Sequence, residues 1–140
     1  MLCRKEGVLM TVINYPALFH KSEAGYWVKF PDLPGCLSEG NTLEEAYVNA
    51  REAVGLYLDT GGDLFERKFN PPSSFEDVLK EHEGQIIMLV EFDSLEYARR
   101  YKNKAVKKTL TIPEWLNEAA MKKGINFSQV LQNALIAMIE

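Results

Sequence analysis

Residues 107–128 read KKTLTIPEWLNEAAMKKGINFS, and the succession of residue types in this stretch decides the fold of the C-terminal part of the chain. Over Lys107–Ile112 polar and apolar residues alternate. Leu110 and Ile112 fall on one side and Lys107, Thr109 and Thr111 on the other, which is the period-two pattern of a strand. Pro113 suits the first position of a helix, and Glu114 in the first turn favours the helix dipole. Trp115, Leu116, Ala119 and Ala120 form an apolar stripe that runs on to Lys123, and Gly124 stands where a helix needs a left-handed residue to stop. Asn126 is then an N-cap for a second helix over Phe127–Glu140, whose apolar face carries Val130, Leu131, Ala134, Leu135, Met138 and Ile139.

One strand and two helices in about 35 residues cannot bury this much apolar surface alone, since chains below ~40 residues usually need a partner or a covalent staple. The segment is therefore expected to dimerise, with Leu110, Ile112, Trp115, Leu116, Val130, Leu131 and Leu135 as the shared core. Its strand has no sheet partner within the segment. An antiparallel ribbon with the same strand of a second chain is the economical solution. Such a ribbon fits the DNA major groove, where Lys107 can donate to guanine acceptors and Thr109 and Thr111 can reach base edges.

Charge divides the chain at the same place. The 140 residues carry a net −4, which taken alone argues against nucleic acid. Residues 1–98 hold eight Lys/Arg against seventeen Asp/Glu, a net of −9, whereas residues 99–140 hold eight against three, a net of +5. Asymmetry of this kind points to modules with different partners. The expected division is an α+β module over 1–98, a basic linker over 99–106 and the strand-helix-helix domain over 107–140.

The N-terminal module reads as strands packed by a helix. Val8–Lys21 is rich in β-branched and aromatic residues, with Pro16 requiring an edge or a bulge. Tyr26–Phe30 alternates like a strand, Pro31-Asp32-Leu33-Pro34-Gly35 is a turn, and Cys36–Glu39 is a short third strand. Thr42 and Glu45 form a capping box. Leu43, Ala46, Tyr47, Ala50, Ala53, Val54, Tyr57 and Leu58 then recur at helical spacing as far as Gly61-Gly62, which ends the helix. Residues 63–84 are polar and broken by Asn70-Pro71-Pro72, with a short helical turn at Phe75–Glu81. Ile86–Phe92 is an apolar run of strand length, and Ser94–Tyr101 a helix.

Several chemistries lose support from the same residues. Cys3 and Cys36 are the only cysteines, too few for a disulfide scaffold and without metal-ligand spacing, which fits a reducing compartment. No apolar run reaches the ~18–20 residues of a membrane span, and the start of the chain holds no secretory core, so a cytoplasmic protein is expected. His20 and His82 have no partner at metal or triad spacing and read as surface histidines. Cys36 reads as a small buried residue. Asp32, with Glu39 or Glu44, is the one candidate set for a metal-dependent nuclease, but a turn explains Asp32 and a helix start explains Glu44 and Glu45. The chain is not expected to be an enzyme or to hold a cofactor or metal. A transcription factor that senses a small ligand is the other alternative.

Two resemblances sharpen this reading. Strand, Pro, helix, Gly, cap and helix over about residues 106–140 resemble the ribbon-helix-helix family of repressors. That likeness implies that Lys107, Thr109 and Thr111 hold the base-reading positions and that the amides of Asn126, Phe127 and Ser128 anchor a phosphate. Thr111 stands where many members carry Arg, a departure that bears on base contact there. The run Gly25-Tyr26-Trp27-Val28-Lys29-Phe30-Pro31-Asp32-Leu33-Pro34-Gly35-Cys36-Leu37-Ser38-Glu39-Gly40, with Thr42-Leu43-Glu44-Glu45-Ala46, resembles the HicB antitoxin signature. It is close from Tyr15 to Leu58 and looser to Tyr101, and residues 1–9 lie outside it as an extended start. The family implies a degenerate ribonuclease H-like module that masks HicA, a small basic ribonuclease, and a tail that binds operator DNA and represses the operon. Tyr26, Trp27, Asp32, Glu39 and Glu44 are the residues of this run expected to face the toxin. An acidic module suits a cationic RNA-binding partner, and a basic tail suits operator phosphate.

Overall fold

The computed structural model describes residues 12–59 and 69–140, together with two short backbone strands, β1 (Cys3–Lys5) and β2 (Val8–Met10). The chain forms two compact units, Met1–Asn103 and Lys104–Glu140. Gly61 and Gly62, expected to stop the helix, lie outside the described residues.

The first unit is mixed α+β. Its elements are β3 (Val12–Ser22), β4 (Gly25–Lys29), β5 (Leu37–Gly40), α1 (Leu43–Leu58), α2 (Phe75–Glu81), β6 (Ile86–Asp93) and α3 (Ser94–Tyr101). The four longer-range strands make one antiparallel sheet in the order β5-β4-β3-β6. The first strand differs from the expected Val8–Lys21. Val8–Met10 pairs back onto Cys3–Lys5, and the sheet strand begins at Val12, where β6 supplies a partner for every residue from Val12 to Phe19.

Pro16 occupies an inner strand, yet its environment is locally that of an edge. The β3–β4 ladder covers only Leu18–Ser22, so Pro16 is paired on the β6 side alone. The missing N–H therefore faces no neighbouring strand.

Alternation sets the two faces of the sheet. Ile13, Tyr15, Ala17 and Phe19 point with Val28, Val90 and Phe92 into the core, where Ala46, Ala50 and Val54 of α1 cover them. Small residues along that stripe let the helix lie close. A Cβ on Gly40 would stand 2.4 Å from the Ala46 nitrogen, which shows how near α1 begins to β5. Leu18 and Val78 are buried outside this cluster. Leu18 must point to the opposite face, which α2 partly covers by packing on β6.

Helix ends follow the expected chemistry. Thr42 Oγ1 accepts from the Glu45 N–H at 3.1 Å, and Asp93 Oδ1 accepts from Leu95 and Glu96 at 3.0 and 3.3 Å. Helix α1 ends at Leu58 with Asp59 as its C-cap. Lys102 pairs with Asp59 at 3.2 Å and Arg100 with Glu96 at 3.7 Å. These contacts tie the start of the basic stretch to the first unit. With the division after Asn103, the first unit has eleven basic against seventeen acidic residues, a net of −6, and the second five against three, a net of +2. The asymmetry keeps its sign and loses part of its size.

The second unit holds α4 (Glu114–Lys122) and α5 (Phe127–Ile139). Pro113 is the N-cap of α4 rather than its first helical residue. Gly124 takes φ +68°, with its N–H donating to Met121 and that of Ile125 to Ala120, the paired bonds of a Schellman stop. Asn126 Oδ1 accepts from the Gln129 N–H at 3.0 Å and caps α5. The expected strand over Lys107–Ile112 is absent from the single chain, where residues 102–113 carry no regular structure. A strand is defined by inter-strand hydrogen bonds, and this unit offers no second strand to make them.

Candidate functional site

Two surfaces hold most of the residues singled out by the sequence. The first is the apolar face of the second unit. Among its residues only Ala120 is buried, at 8% exposure, and α5 buries none. Leu110 is 57% exposed and Trp115 69%. Ile112, Leu116, Val130 and Leu135 are exposed too, and Leu131 is half-buried. Large apolar side chains thus stand exposed along both helices of this unit, the kind of surface that marks an interaction site. Lys107, Thr109 and Thr111 are exposed beside it. At the start of α5, the Asn126 side chain takes up the third amide of the helix, at Gln129, while Phe127 and Ser128 supply the first two.

The second surface is the face of the sheet turned away from α1. Register places His20, Trp27 and Glu39 side by side across β3, β4 and β5. Lys29 and Leu37 form the next pair on the same face. Trp27, Lys29, Leu37 and Glu39 are exposed. His20 stacks on the Trp27 indole with ring centroids 4.0 Å apart and planes 14° from parallel. His20 is not the surface histidine expected from sequence. Its Nε2 is shut from solvent and finds no hydrogen-bond partner. Burial, with Lys29 and then His82, holds its pKa below the ordinary histidine value. The imidazole is thus kept neutral by its place against the sheet.

The other toxin-facing candidates separate. Tyr26 alternates to the α1 side and packs partly against the core. Glu44 is exposed in the first turn of α1. Asp32 is 9% exposed. Its Oδ2 accepts from the Ser73 N–H at 2.8 Å, and Oδ1 accepts from the Ser73 hydroxyl. Its backbone carbonyl accepts from Asn70 Nδ2 at 3.1 Å, and Tyr15 donates to the Asn70 carbonyl at 2.8 Å. Asp32 thereby anchors the 70–73 segment, and its carboxylate is not gathered with Glu39 and Glu44. Among the described residues no three His, Cys, Asp or Glu side chains gather to hold a metal ion. Burial pushes the Cys36 thiol up to about 11, so it is an inert apolar residue at neutral pH. No helix among the described residues is long and apolar enough to cross a membrane.

Sequence reasoning missed the treatment of the sheet edges. Helix α1 sends Asn49 Nδ2 to the Glu39 carbonyl on β5, at 2.9 Å. On β6, the Tyr47 hydroxyl lies 3.4 Å from the Leu89 carbonyl and 3.5 Å from the Glu91 nitrogen, and Arg51 Nε donates to the Glu91 carbonyl at 3.1 Å. One helix thus occupies backbone groups at both edges. The available signal was the i, i+4 spacing of Tyr47 and Arg51, which puts them on one side of α1. Between α1, the end of β6 and α3 lies a cleft of about 230 Å³, lined by Val48, Glu52, Tyr97 and Tyr101 among others. Arg51 and Arg100 both pair with Glu96 there.

Comparison with known proteins gives the context for these surfaces. A family model described as the HicB-like antitoxin of bacterial toxin–antitoxin systems matches residues 15–135. A 14.9 kDa protein from the rep-hol intergenic region of Haemophilus phage HP1 is 34% identical over 105 residues, 73% of this chain and 74% of that one. Antitoxin HicB 2 of Photorhabdus laumondii is 43% identical over 47 residues, 34% of each chain. Among solved structures, the antitoxin HicB of Burkholderia pseudomallei superposes with a TM-score of 0.51 at 25% identity, over 89% of this chain and 95% of that one. A chain of a toxin–antitoxin complex from Streptococcus pneumoniae gives 0.50 at 28% identity, over 90% and 98%. With a family match that runs from the first long strand of the sheet well into the last helix, the chain belongs to the HicB-like antitoxin family of bacterial toxin–antitoxin systems.

Proposed function

We propose that the first unit, a degenerate ribonuclease H-like module, binds and masks a HicA-type ribonuclease, and that the second represses the operon as a ribbon-helix-helix dimer on operator DNA. The observation that carries the reading is the family match, which extends across both units. The first unit has a net −6 and an exposed sheet face, suited to a small basic protein whose RNA-binding surface it would cover. Trp27 and Glu39 lie on that face, with Tyr26 on the far side, Glu44 at the start of α1 and Asp32 fixing the neighbouring loop. In the second unit a second copy would cover Leu110, Ile112, Trp115, Leu116, Val130, Leu131 and Leu135 and would give Lys107–Ile112 its missing strand partner. The ribbon would then present Lys107, Thr109 and Thr111 to base edges, and the start of α5 would meet a phosphate. The cell interior, where toxin and operator both reside, is the site of action.

Co-expression with the small basic protein encoded beside it tests the first half. The two proteins are expected to co-purify, and the toxin's RNA cleavage is expected to stop at stoichiometric antitoxin. Undiminished cleavage in the presence of excess antitoxin would overturn the reading.

A further inference from the structure

We infer that the toxin docks on the open face of the sheet, not along its edges, and that its central contact is an arginine or lysine side chain seated on the Trp27 indole beside the Glu39 carboxylate. The inference rests on the antitoxin reading and names the surface and the chemistry that reading leaves open.

The edges offer little to a partner that adds a strand. Such a partner needs a row of unsatisfied N–H and C=O groups. On β6 the Leu89 carbonyl and both backbone groups of Glu91 already lie against Tyr47 and Arg51, and on β5 the Glu39 carbonyl is held by Asn49. The open face has the opposite character. It displays a tryptophan at 41% exposure in the middle of a rigid antiparallel sheet, and large aromatic side chains on such a surface are the usual anchors of protein interfaces.

The indole is fixed before any partner arrives. His20 lies flat against one side of it, so little side-chain freedom is lost on binding. Directly across the ladder stands the exposed Glu39. An indole face with an adjacent carboxylate attracts a guanidinium or ammonium group by cation–π and ion-pair terms together. Lys29 lies two residues along β4 from Trp27 on the same face, with Leu37 as its register partner, and its charge reaches His20, while the position directly across from Trp27 is held by Glu39. His20, kept neutral, places no cation beneath the ring. The net −6 of the unit favours encounter with a basic partner.

The test titrates the full chain with the toxin encoded beside it, by calorimetry, at two salt concentrations. Trp27→Ala is expected to weaken binding by about 30-fold, and Glu39→Lys by about tenfold with a flatter salt dependence. Both side chains are exposed, and unchanged thermal midpoints exclude misfolding as the cause. The paired change Tyr47→Phe with Arg51→Ala, which frees the β6 edge, is expected to leave affinity within about twofold, since these groups lie outside the proposed contact. Full affinity in both Trp27→Ala and Glu39→Lys overturns the docking inference and leaves the antitoxin reading intact. A wild-type chain that does not bind the toxin overturns both.

Discussion

Leu110→Ala isolates the energetics of self-association. In the single chain the Leu110 side chain is 57% exposed, so its removal takes little from the folding of one copy. If a second copy covers it across a twofold axis, each dimer loses two buried leucines, not one. Truncating a buried leucine costs about 2 kcal/mol at the lower end of the usual range, so the pair costs about 4 kcal/mol. That corresponds to a rise of about a thousandfold in the dimer dissociation constant. Sedimentation velocity over a dilution series reads this directly. The thermal midpoint of the first unit should not move, because Leu110 belongs to the second. A dimer constant within about threefold of wild type, about 0.65 kcal/mol and less than the ~0.8 kcal/mol of one buried methylene, would refute the proposed interface.

Four further outcomes follow from the same contacts. Lys107→Ala should weaken operator binding by about 1–3 kcal/mol while leaving random duplex less affected; equal losses on both in a gel-shift titration would remove its base-reading role. Asp32→Ala strips the acceptor from the Ser73 N–H and hydroxyl, and, with Ser73 exposed enough to recover water, should lower stability by about 1–3 kcal/mol in urea melts. Because the folded His20 pKa lies below the unfolded value of 6.5, the unfolded chain takes up the proton first on acidification; stability should hold above 6.5, fall as pH drops below it, and level off beneath the folded value. His20→Phe keeps the stack and should flatten that part of the profile. Gly40→Ala should unfold or strongly destabilise the first unit, since the new methyl meets Ala46 backbone atoms at 2.4 and 2.7 Å, and a near-wild-type melt would show that α1 can back away.

Legibility in the sequence tracked how local the determining physics was. The α1 cap at Thr42, the α5 cap at Asn126 and the Gly124 stop were readable because each is a contact within a few residues. The strands at Tyr26 and Ile86 were readable from alternation and run length. The break after Met10 was not, because only the long-range partner β6 shows where the sheet strand begins. His20 was misjudged for the same reason. Its environment is made by Trp27 on the adjacent strand and His82 at the end of α2, neither of which is near it in sequence. Asp32 looked like a turn former and is one, but its burial and its grip on Ser73 arise from a segment about forty residues away. The strand pattern at Lys107–Ile112 is legible in the sequence, yet the single chain has no regular structure there, because a strand needs a pairing neighbour that this unit does not supply.

The two units handle exposed pairing surface in opposite ways, and this separates self-association from partner binding. In the first unit α1 turns Asn49 to one sheet edge and Tyr47 with Arg51 to the other, so some of the backbone groups through which sheets could pair edge to edge are already engaged. The second unit buries only Ala120, leaving Leu110, Trp115 and most of the apolar face of α5 exposed. On the proposed reading, dimerisation is concentrated in the 37 residues of this unit, too few to bury their own apolar face, while the sheet face around Trp27 is left to a different protein. A substitution that disrupts the dimer should consequently abolish operator binding without touching toxin neutralisation, and a substitution at Trp27 should do the reverse.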